Sequence, residues 1–157
     1  MFKKPLKLAG SFALILMVAF AVVGIGFNLY ASKYLDAATP YLEQNMPAVV
    51  SWDFERLKPL LTPESRAVFE TEQGQRVYKM FSKLGRLTSL DAPKFLNAKA
   101  GVALDKEPYE VINFSILGHF EAGDAEITLT LVTAGDSYQI DYINMGSDAF
   151  LAPPLSD

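Results

Sequence analysis

The chain contains one histidine, His119, and no cysteine. Imidazole transfers protons readily near neutral pH, so His119 is the first residue to consider for acid–base chemistry. Alternation places it on the same strand face as Asn113 and Ser115, away from the apolar face. Asp141 shares this parity on a later strand. A His119–Asp141 contact across the sheet is therefore a candidate, and a solvated cross-strand pair is its simplest meaning.

The other polar residues form no recognisable catalytic or metal-binding motif. Without cysteine and with one histidine, the chain lacks the ligands of thiolate or multi-imidazole zinc sites. Three acidic pairs are spaced two residues apart, namely Glu70 with Glu72, Asp105 with Glu107, and Asp124 with Glu126. This spacing separates carboxylates on a helix, and acids at turns commonly bind backbone groups instead of calcium. We predict no metal, no cofactor and no enzymatic activity.

Three aromatic residues provide a second candidate site. Trp52, Tyr78 and Tyr142 can line the mouth of a cavity that binds an apolar small molecule or lipid. They can also belong to the hydrophobic core, because large aromatic side chains are mostly buried. Together with His119 and Asp141, they are the candidate ligand or partner contacts.

The elements that position these residues follow a long apolar segment. Residues 8–31 carry no charge, and at about 1.5 Å of helix rise per residue, residues 8–27 reach about 30 Å, the thickness of a bilayer's hydrocarbon core. Lys3, Lys4 and Lys7 precede the segment, which favours a cytoplasmic N-terminus and an extracytoplasmic C-terminal domain. A cleaved signal peptide is the alternative, although its apolar core is usually shorter.

The charge balance excludes one class of partner. After the three N-terminal lysines, 11 basic and 18 acidic residues remain, so the part beyond the apolar segment has a net charge of −7. Nucleic-acid binding requires a basic surface. We therefore expect the membrane and a membrane protein or a second copy of the chain as partners, and no nucleic acid.

Helical patterns follow the apolar segment. Residues 33–52 have apolar side chains at helical spacing, and we expect this helix to be kinked or broken at one or both of Pro40 and Pro47. Asp53 is placed to cap a short helix.

A longer helix is predicted from Thr62 to about Leu84. Thr62 is an N-cap residue, Pro63 suits the first helical position, and Gly85 favours a left-handed end. Gly74 is expected to weaken this helix by up to about 1 kcal/mol relative to alanine.

Alternating patterns then predict four strands, at about residues 95–103, 109–121, 126–131 and 138–143, with a turn at 105–108. The first strand directs Leu96 and Val102 to one face. The later strands direct these residues inward: Ile112, Phe114, Ile116, Phe120, Ile127, Leu129, Leu131, Tyr138, Ile140 and Tyr142. The expected fold is α+β, with a transmembrane helix followed by helices packed on a curved antiparallel four-stranded meander.

Three segments are expected. Residues 1–32 form a basic N-terminus and transmembrane anchor, residues 33–150 form one extracytoplasmic domain, and residues 151–157 form a disordered tail.

The order of helices and strands resembles the cystatin-like or NTF2-like cone fold. The likeness rests on Trp52-Asp53, the helix start at residues 60–64, the helix end at Gly85 and the pattern of residues 137–147. The chain resembles small single-span bacterial inner-membrane proteins with such a domain in the periplasm, of which the VirB8-type secretion scaffold is an example. Enzymes of this fold keep an acid or base inside the cone, whereas the predicted interior here is apolar. The resemblance carries over no functional residue.

Two functions remain after this elimination. The first is a non-catalytic interaction module, an accessory or assembly subunit of a membrane complex. The alternative is a binder of an apolar small molecule or lipid in the cone of the domain.

Overall fold

The computed structural model describes residues 5–102, 104 and 107–151, with side chains from residue 15 onward. Lys3 and Lys4, Asp105 of the predicted turn and residues 152–157 of the predicted tail lie outside this part. The protein is α+β, with a long N-terminal helix and an antiparallel sheet of five strands. The chain forms two compact units, residues 1–34 and 35–157.

The N-terminal helix α1 spans Pro5–Val49. Its described residues before Leu35 include many exposed apolar side chains, among them Ile15, Val18, Phe20, Val23, Ile25 and Leu29. By length and composition, α1 is the one helix among the described residues that is able to cross a membrane. The predicted apolar segment is therefore helical and of spanning length over its described part.

Of the two expected outcomes, a kink or a break, the break is wrong, because α1 continues through both Pro40 and Pro47. A proline removes one backbone hydrogen bond from a helix, and packing of the other residues can compensate for that loss. In the second unit, α1 buries residues at helical spacing, namely Ala38, Leu42, Met46 and Val49. The helix ends shortly before Trp52, which has a left-handed backbone with φ of 60°.

Short helices connect α1 to the sheet. Helix α2 spans Phe54–Leu57 and is capped by Asp53, as predicted, and a 3₁₀ turn follows at Lys58–Leu60. Helix α3 spans Pro63–Phe69, helix α4 spans Glu72–Phe81, and a second 3₁₀ turn at Ser82–Leu84 ends at Gly85 with φ of 75°. The Thr62 cap and the Gly85 end are confirmed.

The prediction of a single helix from Thr62 to Leu84 is wrong, because this segment forms two helices, α3 and α4. Thr71 begins α4 as an N-cap, and its hydroxyl accepts a hydrogen bond from the Gly74 amide at 3.0 Å. A Cβ atom on Gly74 would lie only 2.3 Å from the carbonyl oxygen of Val68. Gly74 therefore permits the close approach of the two helices instead of merely weakening one helix.

The strands are β1 (Leu87–Leu90), β2 (Lys94–Gly101), β3 (Tyr109–Phe120), β4 (Gly123–Ala134) and β5 (Ser137–Gly146). They pair in the order β1–β3–β4–β5. Strands β1 and β2 share one edge of β3: β1 pairs with its C-terminal part and β2 with its N-terminal part. Four of the five strands correspond to the prediction. The sequence pattern missed β1, which has only four residues.

The predicted faces of β3 and β4 are confirmed, since Ile112, Phe114, Ile127 and Leu129 are fully buried. The register of β2 is shifted by an irregularity between Phe95 and Asn97. Phe95 is therefore buried, and Leu96, which the alternation placed on the apolar face of this strand, is 45% exposed.

A second irregularity changes the faces of β5. Ile140 pairs with Leu131 and Tyr142 pairs with Thr130, which leaves Asp141 as the extra residue of a bulge. Tyr142 is consequently 51% exposed, whereas Ile143 is 7% exposed. The prediction that Tyr142 faces inward is wrong.

Candidate functional site

His119 lies near the end of β3 and contacts two carboxylates from different parts of the sheet. Its Nδ1 lies 2.7 Å from Oδ1 of Asp124, at the start of β4, and its Nε2 lies 3.0 Å from Oδ1 of Asp91, directly after β1. The predicted His119–Asp141 contact is wrong. Asp124 is opposite His119 in the β3–β4 register, so the hairpin pattern contained a signal for this partner.

The two carboxylates favour the charged form of the imidazole. The hydrogen bond with Asp124 and then the one with Asp91 raise the pKa of His119 above its ordinary value. A neutral imidazole has one N–H group, so only the imidazolium can donate to both carboxylates at once. The ring exposes about a third of its side-chain surface (34%), and solvent therefore screens these charges.

A neighbouring ion pair, between Arg86 and Glu121, lies at the same end of the sheet. Nη2 of Arg86 lies 2.9 Å from Oε1 of Glu121, and the Arg86 amide donates to Oε2 at 3.0 Å. The backbone amide and the positive charge of Arg86 lower the pKa of Glu121. Arg86 thus bonds both carboxylate oxygens of Glu121. His119 and its two aspartates form a separate group.

Asp141 has a different partner from the predicted one. The Thr62 hydroxyl donates to Oδ1 of Asp141 at 2.9 Å, and the same hydroxyl accepts from the Ser65 amide at 3.1 Å as the cap of α3. The Thr62 amide also donates to the Ile140 carbonyl at 2.9 Å. Asp141 thus joins the β5 bulge to the start of α3.

Trp52 and Tyr78 lie together, as predicted, but Tyr142 does not join them. The Trp52 ring centroid is 6.1 Å from that of Tyr78 and 5.9 Å from that of Phe120, and Nε1 of Trp52 donates to the Gly85 carbonyl at 2.7 Å. Tyr78 is buried, which raises its pKa to about 12. Tyr78 therefore belongs to the core, whereas Trp52 is only partly buried. Both residues line a cavity of about 360 Å³ whose wall does not include Tyr142, so the predicted three-residue cavity mouth is not formed.

A cavity of about 440 Å³ lies elsewhere, between the second part of α1 and the connection from β1 to β2. Its wall contains Leu35, Thr39, Leu42, Glu43 and Met46 from α1, Leu90 to Pro93 from the β connection, and Ile116 from β3. Most of this lining is apolar. Asp91 lines this cavity and also contacts His119. No sequence pattern predicted this cavity.

The outer sheet face has a continuous set of polar contacts. Asn113 donates to Asn97 at 2.8 Å and accepts from Thr130 at 2.6 Å. Thr130 is the register partner of Tyr142, the exposed aromatic residue of this face. The face therefore combines satisfied amide and hydroxyl groups with a half-exposed phenol, which is a composition suited to contact with another protein.

The described residues contain no group of three histidine or acidic side chains arranged to hold a metal ion. No model of a known protein family matches the chain, and no curated protein sequence matches it either.

Proposed function

We propose that the protein is a non-catalytic interaction module, an accessory or assembly subunit of a membrane protein complex. The apolar helix anchors it as a single-pass protein of the bacterial inner membrane. The N-terminus is cytoplasmic and the sheet domain is periplasmic. The partner is another membrane protein or a second copy of the chain.

The exposed apolar surface of α1 supports the anchoring. Residues such as Phe20, Val23 and Leu29 are exposed, and apolar side chains of this size are favoured in a hydrocarbon environment. Lysines before the segment favour the proposed orientation.

The main support for the proposed interaction role is the difference between the two faces of the sheet. The inner positions of β3 and β4 are filled by buried apolar residues such as Phe114 and Leu129, so this face serves the core. The outer face carries Tyr142 next to Thr130, with the amide and hydroxyl contacts described above. We place the partner contact on this outer face, centred on Tyr142.

The fold family is also a proposal. Helices precede the sheet, and β2 to β5 follow each other as a meander, which supports a cystatin-like or NTF2-like cone of the VirB8 type. An experimental structure of the domain tests this assignment by superposition on members of that family.

Purification of the full chain from native membranes in mild detergent tests the function. We expect a stoichiometric membrane protein to co-purify with the wild type and to be lost from Tyr142→Asp. Val68→Asp is the matched control, because Val68 is 63% exposed and lies on α3 instead of on a strand of the sheet. Retention of the partner by Tyr142→Asp would show that the partner contact does not lie on the outer face.

The alternative function is binding of an apolar small molecule or lipid. The cavity between α1 and the β1–β2 connection favours it, because its volume of about 440 Å³ lies within the usual range of ligand pockets and its lining is mainly apolar. A purified monomer that carries a lipid and no protein partner would contradict the interaction role and support this alternative.

A further inference from the structure

The connection between β1 and β2 is attached to the sheet largely through Asp91. Its amide donates to the Leu117 carbonyl at 2.9 Å, and its Oδ1 lies 3.0 Å from Nε2 of His119. The next two residues, Ala92 and Pro93, add less, since proline has no amide hydrogen to donate. Because residues 90–93 form one wall of the 440 Å³ cavity, the two Asp91 contacts hold that wall in place.

The contact between Asp91 and His119 depends on the charge of the ring. The imidazolium donates from both nitrogens, whereas a neutral ring has one donor and one lone pair. In the neutral ring, one carboxylate therefore faces a lone pair, and the hydrogen bond there is lost. Asp124 keeps its bond, because it is closer, at 2.7 Å, and is held opposite His119 by the β3–β4 ladder.

We propose that His119 is a proton-dependent latch that fastens Asp91 and so closes one wall of the apolar cavity. The protonated ring holds the wall against β3. Loss of the proton releases the Asp91 side chain, weakens the bond of its amide to Leu117 and opens the wall. This role concerns conformational control and does not depend on the proposed partner.

The pH response of His119 depends on the charged groups near its ring, of which Asp124 and Asp91 raise its pKa. Three other positions adjoin His119: Ser89 of β1, its uncharged register partner; Glu121, directly after β3 and paired with Arg86; and Glu126 of β4, bonded to Ser115. The acids at Glu121 and Glu126 thus have their own partners. The two aspartates are the carboxylates that contact the ring directly.

The sign of the pH dependence follows from the raised pKa of His119. The latch is closed below that pKa and opens as the pH rises through it. Since a single hydrogen bond changes an opening equilibrium by roughly 2- to 10-fold, a change of this size is expected in the exposure of the Asp91 amide.

Nuclear magnetic resonance of the full chain in detergent micelles measures both quantities. The pKa of His119 should exceed the ordinary value of about 6.5, and hydrogen-exchange protection of the Asp91 amide should fall roughly 2- to 10-fold above it. The Glu121 amide, which donates to the Arg86 carbonyl at 3.0 Å in the same strand pair, is the internal reference and should keep its protection.

Three substitutions distinguish the latch from a merely structural contact. Asp91→Asn should abolish the pH step, because an amide can bond to either form of the ring. Asp124→Asn should lower the pKa of His119 and shrink the step, because an amide that donates to Nδ1 of the neutral ring leaves the single ring N–H for Asp91. His119→Ala, which leaves no side-chain donor at this position, should leave Asp91 weakly protected at every pH. A wild-type Asp91 amide whose protection does not change with pH, or a step that persists unchanged in Asp91→Asn, overturns the proposal.

Discussion

Gly74 illustrates how a single residue is interpreted differently once its neighbours are known. In a helix interior, glycine to alanine normally stabilises by up to about 1 kcal/mol. Here the added methyl group would lie 2.3 Å from the Val68 carbonyl oxygen and 2.7 Å from Cα of Phe69, both of which belong to the backbone.

We therefore expect Gly74→Ala to lower the free energy of unfolding by about 1 to 3 kcal/mol, because α3 and α4 must separate. Chemical denaturation of the full chain in detergent measures this change. Gly146→Ala is the control, since a methyl group there meets no atom within 4 Å, and it should be neutral or slightly stabilising. A more stable Gly74→Ala protein would show that α3 and α4 do not approach as closely as described.

Trp52 is the second residue whose role is set by a distant contact. Its Nε1 donates to the Gly85 carbonyl at 2.7 Å, which joins the end of α1 to the end of the helical segment. Trp52→Phe retains an aromatic ring but removes this donor, and it should lower the free energy of unfolding by about 0.5 to 1.5 kcal/mol, plus a contribution from the smaller ring. Tyr142→Phe should have almost no effect, because Tyr142 is half exposed. Equal losses in the two variants would contradict the role of the hydrogen bond.

At the scale of elements, the two faces of the sheet differ in what they contribute to stability. Phe114 and Leu129 are register partners and are fully buried. Replacing either by alanine should cost about 2 to 5 kcal/mol, whereas alanine at Thr128 or Gln139, on the outer face, should cost about 0.5 kcal/mol or less. Denaturation of the four variants measures the difference. Similar costs on both faces would mean that the strand register is different.

The β5 bulge makes a sharper prediction within one strand. Because Asp141 is inserted, Ile143 faces the core and Tyr142 faces out. Ile143→Ala should therefore cost about 2 to 4 kcal/mol and Tyr142→Ala about 0.5 kcal/mol or less. Uninterrupted alternation from Ile140 requires the opposite order of the two costs. Their measured order decides between a bulged and a regular strand.

At the scale of the whole molecule, the proposed orientation is tested by where each terminus lies. A reporter that is active only in the cytoplasm should remain inactive when fused after Asp157. The same reporter fused before Met1 should be active, which controls for expression. Activity of the C-terminal fusion would reverse the proposed topology. The mass of the mature chain separately distinguishes an uncleaved anchor from a cleaved signal peptide.

The features that the sequence by itself determined are those whose causes lie within a few residues. Composition and length alone define the apolar helix, side chains two or three positions away define the Asp53 and Thr62 caps, and alternation defines the inner faces of β3 and β4. The same local rules failed at Thr71, where a second cap interrupts a helical pattern that continues past it.

Only the tertiary structure decided the arrangement of the candidate site. The β5 bulge leaves Asp141 bound to Thr62, and this contact joins residues that are distant in the chain. His119 likewise contacts Asp91, which directly follows a short strand with no strong pattern of its own. Such contacts depend on how complete elements pack, and a one-residue insertion reverses every face that follows it. For this reason, the sequence determined that His119 faces outward, and the fold determined which carboxylates it binds.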